Sequence, residues 1–219
     1  MKEIHLTLAV EDALSEVVAR KLIKQTQKDY RVTQCLRKGG FGYLKSKINA
    51  FNKAARGVPF FVLTDQDSIN ECPPDKIVNW LNQPRSPNLI FRIAVMEVES
   101  WVMADRKAFA GFLSIPLNRI PQDTDSIPDP KEFLISLARK SRSSRLRADM
   151  VPPHEATSKQ GPDYNNRLTR FVRETWDAHS ARNNSKSLNR AFVRLEEFTP
   201  VALQAEHGNG GIVSLCSLW

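Results

Sequence analysis

Acidic residues stand where three of the chain's apolar runs stop. Val10 leads into Glu11, Val58–Thr64 leads into Asp65-Gln66-Asp67, and Ile93-Ala94-Val95-Met96 leads into Glu97-Val98-Glu99. A buried strand ending in carboxylates places them at the carboxyl edge of a sheet, where open α/β folds bind ligands. Like charges gathered there repel one another unless a cation sits between them. The pattern predicts a divalent-metal site built from hard oxygen ligands. Glu97 and Glu99 sharpen the expectation, because residues two apart in a strand point to the same face. Two buried carboxylates on one face are costly unless water, arginine or metal answers them.

The elements that must carry these residues follow a βα rhythm. Ile4–Val10 reads as a first strand, and Asp12 as the N-cap of a helix over 13–28 with Leu14, Val17, Val18 and Leu22 at helical spacing. Tyr30–Leu36 alternates like a second strand. Gly39-Gly40-Phe41-Gly42 then turns the chain into a helix carrying Leu44, Ile48 and Phe51, a phosphate-binding nest being the alternative for that loop. Val58–Thr64 is apolar throughout, as a central parallel strand covered on both faces would be. Pro73-Pro74 opens a short helix over 75–83, Leu89–Val98 reads as the fourth strand, and Trp101–Leu113 as the helix after it. Strands alternating with helices predict an α/β fold with a mainly parallel sheet flanked by helices.

The character changes after Ile115. Pro116, Pro121, Pro128 and Pro130 punctuate a polar connector, and helices are predicted over 132–140, 168–178 and 188–198. This divides the chain into a core, 1–115, and a mostly helical basic region, 116–219, packed on it. Of the 219 residues, 1–60 carry 12 basic and 5 acidic side chains, 61–130 carry 6 and 10, and 131–194 carry 14 and 6, within a formal net charge of +8. An acidic centre between basic flanks suits a metal-dependent enzyme acting on a polyanion, the flanks holding phosphates by a salt-sensitive Coulombic attraction. Arg139, Lys140, Arg142, Arg145 and Arg147 fall in one nine-residue run without an acid, which could track a nucleic-acid backbone or be an exposed helix-to-loop segment.

Other chemistries find less support. Cys35, Cys72 and Cys216 are odd in number and scattered, which argues against a disulfide framework and against zinc and fits a reducing cytoplasm. His5, His154, His179 and His207 show no metal-ligand spacing. No apolar stretch approaches the ~20 residues that span a bilayer, so no membrane role and a cytoplasmic location are expected.

The order and spacing of Glu11, Asp65-x-Asp67 and Glu97-x-Glu99 resemble the Toprim domain of topoisomerases, bacterial primases and the OLD (overcoming lysogenization defect) nucleases. The phrases Val10–Glu16, Val95–Trp101 and Ala104-Asp105, with Gly161-Pro162-Asp163-Tyr164-Asn165 and Ser187-Leu188-Asn189-Arg190, are similar to those of small bacterial Toprim-like proteins. Asp12 stands where Toprim proteins usually have glycine, and Glu16 lies one residue beyond the second acid of OLD enzymes. No phosphate-loop ATPase motif is present. The resemblance implies a Mg²⁺- or Mn²⁺-dependent nuclease with two ions, Glu11, Asp65 and Asp67 serving one, and Glu97 and Glu99 the other, with Glu16 as a further ligand. A lysine such as Lys140 or Lys159 would neutralise the phosphate. It also implies an ABC- or AAA-type ATPase partner in anti-phage defence; homo-oligomerisation is left open. Two alternatives remain: a non-catalytic nucleic-acid-binding subunit, and a haloacid-dehalogenase-like phosphatase with Asp65 as nucleophile.

Overall fold

The computed structural model describes residues 3–66, 72–154 and 156–202. Strand β1 (Ile4–Val10), helix α1 (Ala13–Gln25), β2 (Tyr30–Leu36), α2 (Gly40–Ala54), β3 (Phe60–Asp65), α3 (Pro73–Trp80) and β4 (Leu89–Ala94) alternate as expected. The four strands form one sheet in the order β2-β1-β3-β4, with every pairing parallel. Alternate residues of the strands supply two cores. Leu6, Leu8, Phe61, Leu63, Ile90 and Ala94 pack against α1 and the later helices, while Val62, Phe91 and Ile93 meet Leu44, Ile48 and Phe51 of α2 and Ile77 and Trp80 of α3. This two-sided burial explains why β3 and β4 read as unbroken apolar runs.

Local chemistry sets the boundaries. Asp12 caps α1 by accepting the Ser15 N–H at 2.8 Å, and Thr26 ends it at Gln25, earlier than expected, its hydroxyl bonding the Ile23 carbonyl. Gly39 and Gly40 have φ of 77° and 61°, a left-handed turn that L side chains resist, and this delivers the chain from β2 into α2.

The fourth strand is shorter than its sequence predicts. It ends at Ala94, Met96 takes a positive φ of 64°, and Val98–Ala104 is already helix α4. The Gln66 N–H is shared between the carbonyls of Ala94 and Met96 at 3.0 and 3.2 Å, which curls the chain across the end of β3. Glu97 and Glu99 therefore sit at the N-cap and in the first turn of a helix, not on a strand face. The helix expected over Trp101–Leu113 is likewise two, α4 and α5 (Arg106–Leu113), divided at Asp105, whose carboxylate caps α5.

Beyond Ile115 come two single 3₁₀ turns, then α6 (Pro130–Arg139), α7 (Ser144–Met150), α8 (Tyr164–Glu174), α9 (Ala178–Ala181) and α10 (Lys186–Glu197). The helix expected over 168–178 begins instead at Tyr164. Just before it, Gly161 lies so close to the end of α7 that a Cβ there would stand 2.4 Å from the Met150 carbonyl carbon. Side chains of α6–α10 share one hydrophobic cluster with β1, α1 and α4.

Candidate functional site

The carboxyl ends of β1 and β3 and the turn after β4 bring four of the expected acids together. Glu11 Oε1 accepts the Asp65 N–H at 2.9 Å and the Thr64 hydroxyl, fixing the end of β3. Asp65 Oδ1 in turn accepts the Val98 N–H at 3.0 Å, at the first residue of α4. Glu97 Oε2 accepts the Lys131 N–H at 2.9 Å, in the first turn of α6. Glu99 is only 4% exposed, and its Oε1 accepts the Tyr164 hydroxyl at 3.3 Å. Lys131 Nζ lies 3.6 Å from Glu99 Oε1 and 3.8 Å from Glu97 Oε1.

The electrostatics follow from this crowding. Burial pushes the Asp65 carboxyl well above the usual carboxylate range, and the charges of Glu99, Glu11, Asp12 and Glu97 push it further. Burial also raises Glu99 to about 7; Lys131 opposes the rise while Glu97 and Asp12 add to it. Lys131 responds in the opposite sense. Burial acts to lower its pKa, but Glu99, Glu97, Asp65 and Asp12 outweigh that and hold the ammonium above its ordinary value. Four carboxylates thus act on one partly buried lysine.

Several residues of the site carry no sequence signature of their role. Lys131, on α6, is the cation between Glu97 and Glu99. Lys76 of α3 is 1% exposed, donates to the Asp65 carbonyl at 2.8 Å and stands over the rings of Phe41 and Trp80. The second-half phrases act as braces. Tyr164 reaches Glu99, and Ser187 accepts the Trp101 indole N–H at 2.7 Å while its own N–H donates to Asp125 at 2.8 Å. Asp105 accepts the Asp177 N–H at 2.9 Å. Once α6 is known to begin at Pro130, a lysine in its first turn opposes the helix dipole, which the neighbouring acids offset.

The remaining expected residues lie elsewhere. Asp67 falls outside the described residues, as do Cys216 and His207. Glu16 pairs with Arg20 at 2.8 Å and Arg37 at 3.5 Å. Burial raises its pKa, but Arg20, Cys35 and Arg37 outweigh that and hold the carboxyl below its ordinary value. It lines a cavity of about 470 Å³ with Lys21, Lys24 and Arg173, so its surroundings are cationic. Arg139, Lys140, Arg142 and Arg145 are exposed along the end of α6 and the start of α7, and Arg139 and Lys140 stand roughly 12–14 Å along α6 from Lys131. Arg147 is turned inward and donates to the Ser141 carbonyl. Lys140 caps the opposite end of α6 from the acids, and Lys159 is exposed in the connection between α7 and α8.

The donor set suits a hard divalent cation such as Mg²⁺ or Mn²⁺, because it is all oxygen and its members repel one another. Among the described residues, however, no three His, Cys, Asp or Glu side chains converge as a ready-made cage. Asp65 and Glu97 each give an oxygen to a backbone N–H, and Glu99 shares its own with Tyr164 and Lys131. Among the described residues no helix is long and apolar enough to cross a membrane. Compared with family models, curated proteins and solved structures, the chain finds no match.

Proposed function

We propose that this chain is a Toprim-type nuclease that uses Mg²⁺ or Mn²⁺ to cleave phosphodiester bonds of DNA or RNA. One observation carries the reading: Asp65 is held at the carboxyl edge of the sheet among Glu11, Asp12, Glu97 and Glu99, whose charges all disfavour its ionisation. Such a cluster gains most from a cation. Glu11, Asp65 and the neighbouring Asp67 would hold one ion, Glu97 and Glu99 a second. Bound there, divalent ions supply an acidified water and stabilise charge on the attacking and leaving oxygens.

The chain's own residues have separate tasks. Glu11 locks the end of β3, so that the Asp65 backbone is fixed before any ligand arrives. Lys131 supplies a positive charge where a phosphoryl group would gain negative charge. The exposed run from Arg139 to Arg145 would hold backbone phosphates beside the site, without reading sequence. The resemblance extends the proposal to an effector in anti-phage defence, cytoplasmic and controlled by an ATPase partner, which rests on family analogy.

A second reading, a non-catalytic nucleic-acid-binding subunit, is favoured by the engagement of Glu97 and Glu99 with Lys131. Incubation of the purified chain with plasmid DNA and with RNA, with and without Mn²⁺, separates the two. Metal-dependent nicking or cleavage that EDTA stops supports the nuclease. Binding without cleavage supports the subunit, and phosphate release from a simple monoester would favour a phosphatase instead.

A further inference from the structure

Glu16, Arg20 and Lys24 recur at four-residue spacing on α1 and so share one face of that helix. That face is one wall of the cavity of about 470 Å³, which Lys21, Arg37 and Arg173 also line. Arg37 follows the end of β2 and Arg173 stands in the last turn of α8, so three elements far apart in sequence meet here. Measured contacts fix their meeting. Glu16 Oε1 accepts the Arg20 Nε–H at 2.8 Å, and its Oε2 lies 3.5 Å from Arg37 Nε, which holds the loop after β2 against α1. Lys21 Nζ donates to the Arg173 carbonyl at 2.9 Å and ties α1 to the end of α8.

The charge of this cavity is not balanced from within. Five cations line it, and among its described lining residues Glu16 is the one acid. The Glu16 carboxylate is already divided between Arg20 and Arg37. Each arginine meets Glu16 through Nε, which leaves most of the five donors of each guanidinium for another oxyanion. Arg20, Lys24, Arg37 and Arg173 are exposed, so a ligand reaches them from solvent. Like charges gathered around one space repel, and an anion between them relieves the repulsion.

We propose that this cavity is a groove for the backbone phosphates of a nucleic acid, held by Arg20, Lys24, Arg37 and Arg173, with Glu16 positioning two of the arginines. Guanidinium forks match the paired oxygens of phosphate, and a cationic groove tracks a backbone without reading its sequence. The length of the groove favours a polymer over a single phosphate. From Ala13 to Lys24 its wall runs roughly 16 Å along α1. Ala13 directly follows Asp12, so the groove begins beside the acidic edge and leads away from it along α1. It is distinct from the run Arg139–Arg145, which lies on α6 and α7. The inference rests on the reading above for the nature of the polyanion, whereas binding in the groove requires neither metal nor cleavage.

The test is binding of a fluorescent single-stranded octanucleotide, as DNA and as RNA, by the full chain in EDTA over a series of salt concentrations. Arg37→Gln combined with Arg173→Gln, both at exposed positions, should weaken binding at 0.1 M salt by at least about tenfold and lower the slope of log affinity against log salt by about one to two. Lys47→Gln combined with Lys53→Gln is the control. These lysines are exposed on α2, across the sheet from α1, and their loss should leave affinity and slope unchanged. Wild-type affinity should rise from a dinucleotide to the octanucleotide, and rise less in the arginine variant. Equal binding by wild type and the arginine variant overturns the proposal, as does an equal loss in the lysine control. A dinucleotide bound as tightly as the octanucleotide overturns it too. Arginine-dependent binding by a chain that never cleaves with Mn²⁺ supports the groove and removes the nuclease, and Mn²⁺-dependent cleavage with binding indifferent to the arginines does the reverse.

Discussion

Glu99→Gln tests the electrostatics of the acidic edge, because glutamine keeps an oxygen for the Tyr164 hydroxyl while removing the charge. In the folded chain Glu99 rises from 4.5 to about 7, chiefly through burial. At ~1.4 kcal/mol per pH unit, this corresponds to roughly 3 kcal/mol. The folded state holds this proton more tightly than the unfolded state does. Its stabilisation is therefore fully present below pH 4.5, is lost as pH rises towards about 7, and stays lost above that. Lys131, also shifted upward, remains charged throughout that window and contributes a constant amount. Asp65 is displaced in the same direction, partly by the Glu99 charge itself, so the difference between wild type and variant reports Glu99 together with the part of the Asp65 shift that Glu99 causes. Urea unfolding in EDTA from pH 5 to pH 8 measures it. The variant should gain on wild type by about 3 kcal/mol across this range and be the more stable protein at pH 8. A difference that stays constant with pH would refute the assignment of the shift to Glu99.

Lys131→Met should destabilise the metal-free chain at pH 8, by on the order of 1–3 kcal/mol, because it leaves Glu97 and Glu99 without their cation. At pH 5, where Glu99 is protonated, the loss should shrink, and unfolding at the two pH values checks this. Changing Arg139, Arg142 and Arg145 together to Ala should reduce the slope of log affinity against log salt for DNA or RNA by about one for each phosphate-neutralising charge removed, equally for all sequences. Arg147→Ala should leave that slope alone and cost about 1 kcal/mol of stability, since its guanidinium bonds the Ser141 carbonyl.

Much of the fold was legible because its determinants are local or periodic. β1, β2 and the heart of β3 are marked by apolar or alternating runs, and Asp12 by its position before an amphipathic helix. The turn after β4 was not legible. Val95-Met96 continues an apolar run, and nothing in a methionine announces a positive φ, so the sequence reads as strand through Val98. Helix α7 was hidden for another reason: its seven residues are short and basic, and only Ser143, accepting the Leu146 N–H, marks its start. At the site, Glu11, Asp65, Glu97 and Glu99 were legible from their places after apolar runs. Lys131 and Tyr164 were not, because they arrive through the packing of α6 and α8, far along the chain.

Manganese binding to the metal-free chain is the most direct test of the acidic edge as a cation site. Calorimetry at pH 7 in buffers of different ionisation enthalpy gives both affinity and proton release. Wild type should bind Mn²⁺ and release protons, because burial raises Glu99 to about 7 and Asp65 well above the usual carboxylate range, and a cation favours the deprotonated form of each. Asp65→Asn should bind at least about tenfold more weakly and release fewer protons. Absence of Mn²⁺ binding by wild type, or identical binding by Asp65→Asn, would contradict a cation site at this edge.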